Sequence, residues 1–179
     1  MSEHPWSLET PRLLIRRLEP GDVDALVALW TDPEVTRYVG GPREPGRLRA
    51  TLTESVAGEE ADAAPAMDLW TVVEKASGRV VGNCGLLEKT VDGQAEVELA
   101  YVLARSAWGH GYATEAAAAV CKYAFEELGL RRLVSLVDPP NAASLRVAAR
   151  LGMRLKGETV RPDGRRLLLL VVEQPGEVG

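Results

Sequence analysis

Ser106 to Gly129 reads SAWGHGYATEAAAAVCKYAFEELG: two glycines around a histidine, a tryptophan ahead of them, and an alanine-rich run of helix formers behind. The run sets Ala113, Ala116, Ala117, Val120 and Ala124 on one stripe at helical spacing, with Gly129 as the C-terminal stop. A helix N-terminus carries unpaired N–H groups and a partial positive charge, so a glycine-lined approach lets phosphate oxygens sit against bare backbone. Two glycines before a helix are also common in ordinary loops. The flanking segments must decide.

Upstream, TVDGQAEVELAYVLA (90–104) turns at Asp92-Gly93 and then alternates. Val97, Leu99, Tyr101 and Leu103 fall on one face and Glu96, Glu98 and Ala100 on the other, so two carboxylates share a side. Downstream, RRLVSLVD (131–138) reads as a strand. Strand, long helix, strand makes a βαβ unit, which requires a parallel, right-handed crossover. DLWTVVEKASGRVVGNCGLLEK (68–89) reads as two further strands joined at ASG, so an antiparallel meander precedes that unit.

Working outward, RLLIRRL (12–18) is a short strand closed by EPGD, after which Val23, Leu26, Val27 and Trp30 recur at helical spacing. A weaker helix is expected over 45–56. Near the C-terminus a short helix over 142–151 starts at Asn141 as its cap and stops at Gly152, and a final hairpin turns at PDG. Only the tail at 174–179 looks frayed. The expectation is one α+β domain over 1–179, with a mixed, mostly antiparallel sheet and helices on both faces.

The chain has 179 residues, 46% apolar and 26% charged, which suits one soluble domain with a sizeable core. A formal net charge of −5 argues against a general nucleic-acid or anionic-membrane binder. There is no signal-like start and no run near the ~20 apolar residues of a membrane span, so a cytoplasmic location is expected. Cys84 and Cys121 stand in unrelated settings, which fits a reducing compartment and offers neither a disulfide framework nor a metal site. Between Ala50 and Glu74 there is no Lys or Arg, while Glu54, Glu59, Glu60, Asp62 and Asp68 accumulate into an acidic surface.

The better-known phosphate loops fail: neither G-x-x-x-x-G-K-[ST] nor G-x-G-x-x-G with a later acidic residue occurs. Trp108-x-x-Gly111-x-Ala113 instead resembles the pyrophosphate loop of the Gcn5-related N-acetyltransferases (GNAT), departing from that family's Gln/Arg at the first position. WGHGYATEA resembles the RimJ/RimL branch, which acetylates N-terminal amines of ribosomal proteins, and the likeness runs from LETPRLLIRRLEPGDVDAL to DPPNAASLRVAARLGMRLKGE. The resemblance implies acetyl-CoA as cofactor, held by backbone N–H groups across Gly109, His110, Gly111, Tyr112, Ala113 and Thr114. It also implies that Val102, Leu103 and Arg105 pair with the pantetheine arm where two parallel strands part, with Trp108 anchoring the loop. A homodimer is compatible with it.

Acetyl transfer to an amine needs a neutral amine, stabilisation of the oxyanion and a proton for the departing thiolate. By the resemblance Glu98 occupies the strand position of the base; binding a cationic acceptor and simple solvation are its other readings, and Glu96 is its neighbour and competitor. Many family members place an acidic tyrosine at what aligns with Ala148, where this chain has none. The branch pattern Asn-x-x-Ser is matched by Asn141 and Ser144, so Ser144 protonates the sulfur or merely bonds to its own helix start. The oxyanion donor is an N–H near Tyr101 or Val102. His110 and His4 are the two histidines, and a Ser-His-Asp hydrolase would put His110 to two uses in one loop. Two other readings stand beside a protein α-amine acceptor: a small antibiotic or metabolite amine, and a non-catalytic acyl-CoA-binding protein.

Overall fold

The computed structural model describes residues 6–58 and 67–174. His4, the acidic residues Glu59, Glu60 and Asp62, and the tail from 175 lie outside the described residues. Eight strands form one sheet: β1 (Ser7–Glu9), β2 (Leu13–Arg16), β3 (Leu69–Glu74), β4 (Arg79–Val91), β5 (Gln94–Leu103), β6 (Arg132–Val137), β7 (Arg154–Val160) and β8 (Arg166–Glu173). Their order is β1-β2-β3-β4-β5-β6-β8-β7, and every pairing is antiparallel except β5 with β6. Among the described residues four α-helices accompany it: α1 (Val23–Thr31), α2 (Pro45–Gly58), α3 (Tyr112–Glu126) and α4 (Ala142–Arg150).

The alanine stripe of α3 explains how closely that helix lies on the sheet. Ala116, Ala117, Val120 and Ala124 have no exposed surface and pack on Leu13, Ile15, Val72, Leu86, Leu99 and Leu133. Each buried Leu, Ile or Val among them contributes about 1.5–3 kcal/mol of transfer free energy, and each alanine methyl about 0.8 kcal/mol. On the opposite face, Leu26 and Leu29 of α1 pack on Val102 of β5. Leu99 and Leu103 of β5 thus face α3 and Val102 faces α1, as the alternation at 97–103 requires.

Two departures from the sequence reading have local causes. The first strand ends at Arg16 rather than Leu18, because Arg16 Nη1 turns back to Asp22 at 2.7 Å and Asp22 also accepts the Glu19 N–H at 2.8 Å. Together they close the chain into a 3-10 turn at Pro20–Asp22. β1 was not anticipated; three residues are too few to show a period, and it forms only by pairing with the edge of β2.

Candidate active site

The parallel pairing of β5 with β6 is confined to one register position, Glu98 beside Val134. In a continued ladder the Leu136 N–H would donate to the Leu99 C=O, and the Tyr101 N–H would donate to Leu136. Here Leu99 O instead accepts the Ser135 hydroxyl at 2.8 Å, and the Leu136 N–H lies close enough to the Glu98 carboxylate to favour its charge. A side-chain hydrogen bond thus takes over where the ladder stops. A cavity of about 490 Å³ opens beyond that point, lined by residues of both strands, by Trp30, and by Asn141 and Ser144 at the start of α4.

The two carboxylates of β5 have separate fates. Glu96 is held by Arg132 through a bidentate pair, 3.0 Å from Nε and 2.6 Å from Nη2. Glu98 has its nearest cation, Lys89 Nζ, 3.9 Å away, and its side chain is 14% exposed in the cavity wall. Burial pushes the Glu98 carboxyl above the ordinary carboxylate range, against the opposing pull of Lys89, the Leu136 N–H and Arg161. Glu98 thus joins a raised proton affinity to a place in the wall of this cavity, while Glu96 is taken up by Arg132.

Lining the same cavity is Tyr101, which the alternation had placed with Val97, Leu99 and Leu103 on the other face of β5. Tyr101 Oη donates to the Ser144 C=O at 3.2 Å and accepts the Ser144 hydroxyl at 3.1 Å. Burial raises the Tyr101 hydroxyl to about 12, so it stays protonated at neutral pH. Asn141 caps α4, its Oδ1 accepting the Ser144 N–H at 3.1 Å, so the capping reading of Asn141 holds while Ser144 Oγ is directed at Tyr101. The available signal was the position of Tyr101 three residues after Glu98 on the strand bordering the split; that it meets α4 is visible only in the fold.

At the far end of β5 a 3-10 turn at Arg105–Ala107 leads into the glycine loop. Gly109 and Gly111 have φ of +76° and +78°, the left-handed region that L side chains rarely adopt. Gly111 is the N-cap of α3, no side chain caps the helix, and the nearby Thr114 hydroxyl is buried without a partner. Uncapped N–H groups and an unsatisfied hydroxyl in the first turn fit a diphosphate. Trp108 anchors the loop, its indole N–H donating to the Leu103 C=O at 2.8 Å. Arg105 is held by Asp32 at 2.9 Å.

A second anchor was not read from the sequence. Glu115 accepts Thr10 Oγ1 at 2.6 Å, the Arg12 N–H at 2.9 Å and Arg12 Nε at 2.7 Å, while Arg12 Nη1 donates to the His110 C=O at 2.9 Å. Burial opposes ionisation of Glu115, but these hydrogen bonds outweigh it and hold its carboxyl below the usual range. The Arg12 guanidinium also lies 4.6 Å from the Tyr112 ring centroid.

Backbone direction along β5 refines the expected contacts. Ala104 N–H donates to Val81 O at 2.9 Å, so by antiparallel alternation the N–H and C=O of Val102 point to β4, not into the split. Tyr101 and Leu103 present theirs toward β6, and the Leu103 C=O is already taken by Trp108. Among the described residues no group of three or more His, Cys, Asp or Glu side chains gathers as a metal site would require, and no helix is long and apolar enough to cross a membrane.

Comparison with known proteins agrees with this architecture. A family model described as an acetyltransferase (GNAT) domain matches residues 12–154. The chain is 34% identical to YkkB of Bacillus subtilis strain 168 over 155 residues, 86% of this chain and 88% of that protein. The crystal structure of an acetyltransferase from Agrobacterium tumefaciens strain C58 superposes with a TM-score of 0.76 at 28% identity, covering 97% of this chain and 98% of that one. A spermidine N-acetyltransferase from Vibrio cholerae, solved with CoA and spermine, shares the fold with a TM-score of 0.73 at 20% identity, covering 92% of this chain and 97% of that one. A sheet opened at its one parallel pair, an uncapped glycine-led helix beside it, and a family match over most of the chain give one conclusion: the protein belongs to the GNAT family and is an acetyl-CoA-dependent acyltransferase.

Proposed function

We propose that the protein acetylates a primary amine by direct transfer, with Glu98 taking the amine's proton and the Tyr101–Ser144 pair supplying one to the leaving sulfur. When bound, acetyl-CoA supplies the acetyl group as a thioester. The observation that carries this reading is a buried carboxylate of raised proton affinity at the point where β5 and β6 part, with a protonated tyrosine hydroxyl lining the same cavity. A general base works best when its pKa lies near the operating pH, and burial moves Glu98 in that direction.

The backbone N–H groups from Gly109 to Thr114 and the Thr114 hydroxyl would hold the diphosphate, with Asn141 in the wall of the cavity and the Leu103 N–H left to pair with the pantetheine arm in this reading. The Tyr101 N–H, freed by the parting of the strands, is the oxyanion donor in this reading. No covalent enzyme intermediate is required. Tyr101→Phe should lower kcat by about 100-fold, the low end for a general acid because the Ser144 hydroxyl remains, and Ser144→Ala by less, with acetyl-CoA affinity little changed in both. Single-turnover kinetics read this directly; a larger loss in Ser144→Ala would return the acid role to Ser144 alone.

Arg12 holds the phosphate loop without touching the reacting atoms. Arg12→Ala should raise KM for acetyl-CoA severalfold with kcat nearly kept, because it frees the His110 carbonyl and loosens the loop rather than the chemistry. A variant with unchanged KM would show that the glycines hold the loop by themselves.

For the acceptor, the RimJ/RimL-like motif favours a protein α-amine, whose pKa near 8 asks less of a base than a lysine near 10.4. Labelled acetyl-CoA incubated with N-terminal peptides, polyamines and aminoglycosides tests both the activity and this preference. Cofactor binding without transfer to any amine would overturn the enzyme mechanism in favour of an acyl-CoA-binding role.

A further inference from the structure

The charges around Glu98 form a pattern that the proton-transfer reading does not use. Lys89 sits near Glu98, and Arg165 on the β7–β8 hairpin is neutralised by Asp163 at 2.8 Å. Arg43 lies over the Trp30 ring, 5.6 Å from its centroid. Arg161, half-buried at the end of β7, lines the same cavity and is near enough to Glu98 to stabilise its charge. Among the described residues Arg161 has no carboxylate at ion-pair distance and no hydrogen-bond partner for its side chain. Its backbone is fixed: the Arg161 N–H donates to Arg165 O at 2.9 Å, and the Gly164 N–H donates to Arg161 O at 2.8 Å. The remaining wall carboxylate, Asp138, follows the end of β6 beside Asn141.

A guanidinium partly removed from water, with Glu98 and Asp163 near it but no carboxylate at ion-pair distance, has more to gain from an incoming carboxylate than an exposed one. Glu98 and Arg161 together make a negative site and a positive site in one cavity, the mirror of an ammonium and a carboxylate a few bonds apart. A polycation would instead meet Arg43, Lys89 and Arg161 as like charges. We propose that the acceptor is an amine bearing a carboxylate within a few bonds, which Arg161 receives while the amine faces Glu98. This rests on Glu98 being the acceptor-side group. The carboxylate belongs either to a free amino acid or to an acidic residue at the start of a peptide.

The test compares kcat/KM for glycine and aspartate against glycinamide and aspartate diamide, for amidated peptides beginning Ser-Asp against Ser-Asn, and for spermidine. Carboxylate-bearing acceptors should be favoured by about 10- to 100-fold, as expected for a hydrogen bond to a charged group. In Arg161→Gln that ratio should collapse toward one, and in Arg161→Lys it should be partly kept, with melting temperatures near wild type. The free-acid and peptide arms identify the source of the carboxylate. Calorimetry of the same compounds against the CoA-loaded protein covers acceptors that bind without turning over. Equal binding or turnover of acids and amides, preference for spermidine, absence of binding by every carboxylate, or a preference that survives Arg161→Gln would each overturn the proposal. Failure of the base reading looks different: Glu98→Gln would then turn over every acceptor, whatever its charge.

Discussion

Glu98→Gln is expected to lower kcat by about 100- to 10,000-fold, the range spanned by removal of a general acid or base, while acetyl-CoA affinity stays near wild type. The pH dependence carries the sign. A base must be ionised, and burial sets Glu98 above the ordinary carboxylate range, so wild-type turnover falls as pH drops through that raised value. The variant should lose this acidic limb, leaving a flatter profile at a much lower rate. Stability moves the other way. A raised folded pKa contributes stability that is complete below the unfolded carboxylate pKa and is lost as pH rises through the folded one. At neutral pH, where the buried charge opposes folding, the neutral glutamine should melt no lower than wild type. A rate-profile limb that persists in the variant would remove Glu98 from proton transfer.

Gly85→Ala should be the most damaging substitution for the fold itself. A Cβ built on Gly85 would lie 1.8 Å from the Asp68 carbonyl oxygen and 3.0 Å from Leu69 Cα, both backbone atoms that cannot swing aside. The Asp68 carbonyl is also tied down, accepting the Leu86 N–H at 3.1 Å. Relief requires β3 to move from β4, which would strain the strand beside Trp70 and Cys84. The expected cost is about 3 kcal/mol or more, at the upper end for overpacked sites, and a fall in melting temperature of about 6–12 °C. Thermal denaturation by circular dichroism checks it; a loss under about 1 kcal/mol would mean that β3 has slack which the close contact denies.

Much of the site could be read before any fold was known, and for identifiable reasons. The glycine loop and the α3 stripe are local: positive φ at Gly109 and Gly111 and a 3.6-residue period are properties of neighbouring residues. The placing of Glu96 and Glu98 on one face of β5 follows from the two-residue period of a strand. Asn141 as a cap is equally local.

What the sequence left open were questions of partnership. Glu96 and Glu98 are alike along the chain, and only the placement of Arg132 and Leu136 on β6 occupies one carboxylate with an ion pair and leaves the other facing a cavity. Tyr101 and Ser144 are 43 residues apart, and Arg12 and Glu115 are 103 apart, so no periodicity joins them. The sequence by itself determined the order of elements, the helix opened by glycines and the family to which the chain is similar, because those depend on short-range sterics and repeats. Tertiary structure alone decided that burial raises the proton affinity of Glu98, that Arg132 occupies Glu96, and which hydroxyls share the cavity with Glu98, because desolvation and hydrogen bonding depend on what the folded chain brings alongside.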